Sequence, residues 1–291
     1  MKLAELFQQG TFVVTGEVGP PKGASAEEVI SGAKAMASAV DAVNVTDNQS
    51  AVMRLGSLAV CHLLKQAGIE PVFQLTCRDR NRIALQSDLL SAAALGVQNV
   101  LLLTGDHMVL GDHPGAKGVF DLDSVQLLAA ARGLNEGHDL EGHDLEAAPD
   151  LCLGAVVNPG SDDLDAQLLK MEKKIDAGAQ FFQTQAVYEA DVFARFMERA
   201  GRFGVPVMVG IVPLKSARMA RYMTANVAGV HVPDHMVERM AKTKKADRKK
   251  VSAEMAAELI RQVKDLCQGV HLMPLGWDDI VPDIVAQSEV R

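Results

Sequence analysis

Short runs of almost continuous apolar residues recur along the chain, each followed by a stretch whose apolar positions return every three or four residues. The short runs predict strands at Thr11–Val18, Ala42–Thr46, Pro71–Thr76, Asn99–Thr104, Leu151–Val157, Phe181–Ala186, Pro206–Val212 and Val270–Leu275. The periodic stretches predict helices near 26–37, 55–67, 82–95, 122–133, 163–177, 190–202 and 215–223, a longer helical region over 233–267, and a last helix over 277–286. Strands that are apolar on both faces belong to a parallel sheet covered on both sides. Gly68, Gly96, Gly178 and Gly204 fall where helices should stop. Eight such units predict an α/β protein, a single (β/α)8 TIM barrel over residues 1–291, in preference to an open doubly wound sheet. No GxGxxG or P-loop is present, which weakens the open-sheet dinucleotide alternative.

In a barrel the C-terminal strand ends form the active face. Polar residues arrive there from seven strands: Glu17, Thr46-Asp47-Asn48-Gln49, Gln74-Leu75-Thr76, Thr104-Gly105-Asp106, Asn158-Pro159, Gln183-Thr184-Gln185 and Lys215-Ser216. Any one of these could be an ordinary polar loop; the combined set suggests a site. Glu17 ends an apolar run and is followed at once by Gly19-Pro20-Pro21. An unpaired buried charge is costly, so the acid is either paired with a base such as Arg78 or Arg80 or kept for chemistry. We favour chemistry, because apolar enclosure helps a carboxylic acid keep a proton to donate. Asp106, after the turn-permitting Gly105, reads equally well as a ligand-facing acid or as a helix cap or Asx-turn. Strand alternation puts Gln183 and Gln185 on one side, where a heteroaromatic ligand or a water-filled polar layer would satisfy them.

Composition narrows the classes. Hydrophobic residues make up 48% and charged residues 23%, enough for a sizeable core and too apolar for global disorder. A net charge of −8 and a pI near 5.5 argue against a general nucleic-acid binder. Four scattered cysteines without a CxxC pair suit a reducing compartment and predict no metal site in the chain. No secretory leader and no membrane-length apolar run is present, so a soluble cytoplasmic protein is expected. The tandem Gly137-His138-Asp139-Leu140-Glu141 and Gly142-His143-Asp144-Leu145-Glu146 reads as a duplicated surface loop rather than a metal site. The basic run from Lys242 to Lys250 reads as a solvated helix start, with docking of an acidic partner or of a ligand's anionic tail as the alternative. Trp277 is expected to open the last helix over the barrel end.

Several ordered motifs together resemble the 5,10-methylenetetrahydrofolate reductases. They are Glu17-Val18-Gly19-Pro20-Pro21, Gln74-Leu75-Thr76-Cys77-Arg78-Asp79, Leu103-Thr104-Gly105-Asp106, and Asp176-Ala177-Gly178-Ala179 followed by Thr184-Gln185. Gly210-Ile211-Val212-Pro213-Leu214 and the run from Asn226 to Pro233 extend the likeness over nearly the whole chain. The resemblance implies one flavin- and folate-binding catalytic domain over 1–291. It would reduce methylenetetrahydrofolate to 5-methyltetrahydrofolate by hydride transfer from a reduced flavin, FAD with FMN as the alternative. It further implies that Glu17 is the general acid and that Asp106 lies near flavin and pterin. Gln185, with Gln183 on the same face, would bind the pterin, while Thr46, Gln74, Gly105, Phe120, Asn158 and Lys174 would line the flavin.

The chain departs from well-known bacterial members at Val18-Gly19, where they have two aromatics, and at Thr104, Asn158 and Ala217, where they have Arg, His and Phe. These departures bring it nearer to a subgroup from acetogenic and similar anaerobic organisms that draws electrons from an iron–sulfur partner subunit. The expected partners are therefore methylenetetrahydrofolate and either NAD(P)H or such a subunit, with the chain an oligomer or a complex subunit. A non-redox folate-binding barrel or pterin methyltransferase, or a reductase subunit active only inside an electron-transfer complex, is the alternative.

Overall fold

The computed structural model describes residues 1–291. Eight strands close into a parallel barrel in chain order: β1 (Val13–Val18), β2 (Ala42–Val45), β3 (Pro71–Thr76), β4 (Asn99–Leu103), β5 (Cys152–Val157), β6 (Phe181–Ala186), β7 (Val207–Ile211) and β8 (Gly269–Leu272). Closure is made by β8 beside β1, with Val14 against Val270 and Thr15 against His271. Eleven α-helices accompany the strands: α1 (Leu3–Gln8), α2 (Glu27–Met36), α3 (Ser57–Gln66), α4 (Arg82–Ala94), α5 (Ser124–Asn135), α6 (Leu164–Asp176), α7 (Ala190–Ala200), α8 (Ala217–Asn226), α9 (Asp234–Lys242), α10 (Arg248–Val263) and α11 (Val281–Ser288). None is long and apolar enough to cross a membrane.

Strand alternation separates two cores. Residues such as Val14, Val43, Phe73, Val100, Phe182 and Val270 face outward and join the helices in one large apolar cluster. Their neighbours in sequence face inward. At the bottom of the barrel Val13, Ala42, Val72, Leu101, Cys152, Phe181 and Met208 fill the interior. The helix α1 plugs this end: Leu3 is fully buried, its N–H donates to Asn99 Oδ1 at 2.8 Å, and the Phe7 ring centroid lies 6.1 Å from that of Phe181. Gly154 leaves the room that Phe181 occupies, since a Cβ there would stand 2.3 Å from the ring.

One step up, the interior turns polar. Asn44 and Gln183 exchange amide hydrogen bonds at 2.8 and 3.2 Å, and Gln183 Nε2 also donates to Thr15 Oγ1 at 3.3 Å. Thr15 Oγ1 in turn lies 2.9 Å from His271 Nδ1. A buried polar layer is tolerated only when its members satisfy one another, as these do.

The differences from the sequence reading are local. The helix α1 was not expected. The eighth strand stops at Leu272: Met273 N still donates to Ile211 O at 2.9 Å, but Pro274 has no N–H to extend the ladder, and Leu275 and Gly276 then take positive φ. The region 233–267 divides into α9 and α10, which are joined by a 3-10 turn at Lys245–Asp247. The duplicated His–Asp segment folds back on itself through a His138–Asp144 bridge.

Candidate active site

Inward positions two residues apart on β1 are Val13, Thr15 and Glu17, so one strand runs from apolar plug to polar layer to acid. Glu17 is 7% exposed and lies at the upper end of the barrel interior. Its Oε2 accepts from Gln74 Nε2 at 3.1 Å and lies 3.4 Å from His271 Nε2. Arg78 and Arg80 do not pair with it. Arg78 forks onto Asp79 at 2.9 and 2.6 Å, and Arg80 grips Asp47 at 2.7 and 3.3 Å and Asp88 at 2.8 Å. The two strong bases are therefore matched by other carboxylates, and the acid is left to an amide and an imidazole.

A cavity of about 420 Å³ opens above Glu17. Gln74, Gly105, Asp106, Asn158 and Lys174 join Glu17 in its wall, and Gln183 and Gln185 reach it from β6. Asp106 is exposed, and its carboxylate makes no hydrogen bond or ion pair within the chain; the cap of the following 3-10 turn is supplied by the His107 ring instead. Gly105 has φ +91°, where a side chain is strained, and a Cβ would crowd Thr76 and Arg78 at 3.0 and 3.1 Å. Lys174 is buried on α6, and its Nζ donates to Val156 O at 2.6 Å. Burial, reinforced by Lys170, holds its ammonium down at about 8.

Not every expected residue is delivered to the wall. Phe120 stacks on His107 at 6.4 Å between centroids and is not part of the lining. Thr46 lies behind the wall, buried, with its Oγ1 lacking any hydrogen-bond partner. Lys215 and Ser216 are engaged elsewhere: Lys215 Nζ donates to Leu275 O at 2.5 Å and lies 5.3 Å from the Trp277 ring, while Ser216 caps α8. Gln183 and Gln185 both reach the cavity but differ in their partners. The β6–β7 register shifts between Gln183 and Ala186. Gln183 is held in the interior layer, whereas Gln185 Oε1 accepts from Ala186 N at 2.9 Å and its Nε2 has no partner in the chain.

His271 is the main residue that the sequence reading missed. A histidine between Val270 and Leu272 on the last strand was the available signal, and it supplies the eighth strand's contribution to the mouth. The four cysteines are free and buried, and burial pushes Cys77 up to about 12 and Cys152 and Cys267 up to about 11. They are inert as nucleophiles.

A sequence model described as "Methylenetetrahydrofolate reductase" matches residues 2–289. A probable methylenetetrahydrofolate reductase (NADPH) of Caenorhabditis elegans is 24% identical over 230 residues, 77% of this chain and 33% of that protein. The 5,10-methylenetetrahydrofolate reductase of Salmonella typhimurium is 26% identical over 277 residues, 90% of this chain and 86% of that protein. The chain thus spans about a third of the longer eukaryotic relatives and most of the bacterial ones. Among solved structures, a Clostridium thermocellum protein described as binding two copies of 5-methyl-5,6,7,8-tetrahydrofolic acid superposes with a TM-score of 0.66 at 16% identity, covering 97% of this chain and 98% of that one. A 2,3-dimethylmalate lyase superposes at 0.54 with 12% identity, covering 99% of this chain and 84% of that one, so the barrel alone does not select a chemistry.

Proposed function

The chain belongs to the methylenetetrahydrofolate reductase family, and we propose that it reduces 5,10-methylenetetrahydrofolate to 5-methyltetrahydrofolate with a bound flavin, FAD with FMN as the alternative. The observation that carries this reading is the setting of Glu17: a buried acid at the cavity floor, partnered by Gln74 and His271 and by neither lysine nor arginine. The folate ligands described for the Clostridium thermocellum barrel support a pterin in a mouth of this kind. The residues also fit a flavin. Lys174 has a single protein acceptor, and Gly105 brings backbone to the cavity without a side chain. Gln74, Gly105, Asn158 and Lys174 would hold it, with Lys174 suited to a phosphate.

Reduced flavin, when bound, supplies the hydride. The chain's own part is proton handling and orientation. Glu17 delivers a proton to folate N10 as the bond from N10 to the bridging carbon breaks, leaving an iminium at N5. His271 can follow that transfer in two states. In one, Nε2–H donates to the carboxylate and Nδ1 accepts from Thr15; in the other, Nε2 accepts from the acid and Nδ1–H donates to Thr15. The unpaired Asp106 carboxylate stabilises the positive charge that develops on the iminium. The free Nε2 of Gln185 is placed to orient the pterin.

The cavity wall contains no Phe, Tyr or Trp, which favours electron delivery from a protein partner over stacking of a nicotinamide in the mouth. One anaerobic experiment tests the whole reading. Protein loaded with FAD and reduced with reduced viologen is mixed with methylenetetrahydrofolate, and flavin reoxidation and methyltetrahydrofolate are followed. Reoxidation with stoichiometric product is expected, and NADH should replace viologen poorly. Failure to bind either flavin overturns the reading, and binding of methyltetrahydrofolate without reoxidation marks a non-redox folate barrel instead.

A further inference from the structure

Arg78 is the largest fully buried side chain in the molecule and stands in the wall of the same cavity. Each of its three guanidinium nitrogens faces an acceptor in the chain. Nε and Nη2 fork onto Asp79, and Nη1 faces the Asp106 carbonyl at 3.5 Å. The contacts continue outward. Asp79 Oδ2 accepts from Asn48 Nδ2 at 3.3 Å, Asn48 Oδ1 accepts from Arg54 N at 2.9 Å, and Arg54 Nη1 donates to Pro20 O at 3.3 Å. Pro20 lies three residues after Glu17. A single hydrogen-bonded path therefore crosses the rim from the Asp106 turn to the loop that follows Glu17. The main-chain carbonyl of Arg78 adds a second hold on the β4–α5 loop by accepting from Val119 N at 2.8 Å.

The middle of this path is strained. Asn48, Ser50 and Ala51 have φ values of 44°, 56° and 57°. Left-handed backbone at three non-glycine residues within four persists only where surrounding contacts over-determine it, and such strain gathers at functional sites. The Asn48 side chain, bonded on both sides, is one of those contacts.

We propose that Arg78 is a positioning residue: acting through Asp79 and Asn48, it fixes the Asp106 turn against the Glu17 loop, so that the two acids meet one ligand in a set geometry. The kinetic arm of its test rests on the functional reading above; the exchange arm does not.

The test uses Asn48→Gly, Arg78→Met and the double variant. Glycine keeps the left-handed backbone at position 48 and removes only the amide, so Asn48→Gly remains informative if Arg78→Met folds poorly. Amide hydrogen exchange over residues 105–120 should accelerate in Asn48→Gly while protection elsewhere is unchanged. In the viologen assay Asn48→Gly should lower kcat by about tenfold. KM for folate should stay within about twofold and flavin affinity should hold, a split that general destabilisation would not give. Adding Asn48→Gly to Arg78→Met should cause no further loss, because both cut one path. Unchanged exchange at 105–120 in Asn48→Gly, or additive losses in the double variant, overturns the proposal. A wild-type protein without folate turnover refutes the functional reading alone, and exchange then decides the role of Arg78.

Discussion

Glu17 and His271 come from opposite ends of the chain, yet their side chains meet at 3.4 Å inside the barrel. The contact exists because β8 closes the sheet against β1, pairing Thr15 with His271. The same ring reaches Thr15 Oγ1 at 2.9 Å, so acid, imidazole and hydroxyl form one line beneath the cavity. The imidazole and hydroxyl give the carboxylate a polar setting above the apolar plug once its proton has left.

Replacing Glu17 by glutamine keeps the shape and removes the transferable proton. Flavin binding should be retained, and folate-dependent reoxidation of the reduced protein should fall by roughly 10²–10⁴. Anaerobic stopped-flow absorbance measures both properties. Wild-type folate turnover in the Glu17→Gln variant would remove the acid from the mechanism.

His271→Asn removes the second partner of Glu17 while leaving a polar group beside Thr15. Reoxidation by folate should slow by about tenfold, or about 1.4 kcal/mol of barrier. The pH dependence of that half-reaction should change shape, with reduction of the flavin by viologen unaffected. Equal slowing of both half-reactions would point to a general packing defect.

Lys174 has an ammonium depressed to about 8 by burial. Its unfolded form holds a proton up to the ordinary lysine range near 10.4. Between these values the unfolded chain binds more protons, so folding stability contributed by this group rises with pH across that window. Below about pH 8 the penalty for burying the charge is fully present. Urea unfolding at pH 7 and pH 10 should therefore show Lys174→Met losing this rise relative to wild type. A flavin phosphate beside the amine would restore its charge. Flavin affinity should then weaken above about pH 8 in wild type and lose that dependence in the variant.

Gln183 and Gln185 should separate cleanly. Gln183→Leu leaves Asn44 without its partner in the buried polar layer and should cost about 1–3 kcal/mol of stability, read by urea denaturation. Gln185→Ala should leave stability near wild type and weaken binding of methyltetrahydrofolate, read by titration calorimetry. The opposite pattern would return Gln183 to the ligand and Gln185 to the fold.

Much of this was written in the linear pattern. The alternation of short apolar runs with helical periodicity requires parallel strands covered on both faces, and eight repeats of it close a barrel. The acid on β1 and the Gly105–Asp106 turn were also legible, because a charge ending an apolar strand and a glycine before an acid are local signals. What sequence alone could not determine is who meets whom. Alternation put Gln183 and Gln185 on one side, and both reach the cavity, but only the tertiary structure tied Gln183 to Asn44 and left the Gln185 amide nitrogen free. Thr46 follows β2 directly and Phe120 lies far along the loop after β4, and both miss the cavity wall. The partners of Glu17, the pairing of Asn44 with Gln183 and the rim path through Arg78 all join residues distant in the chain. Local propensity fixes which elements form. Barrel closure and register decide which side chains share the small interior space, and that is set by packing across the whole sheet.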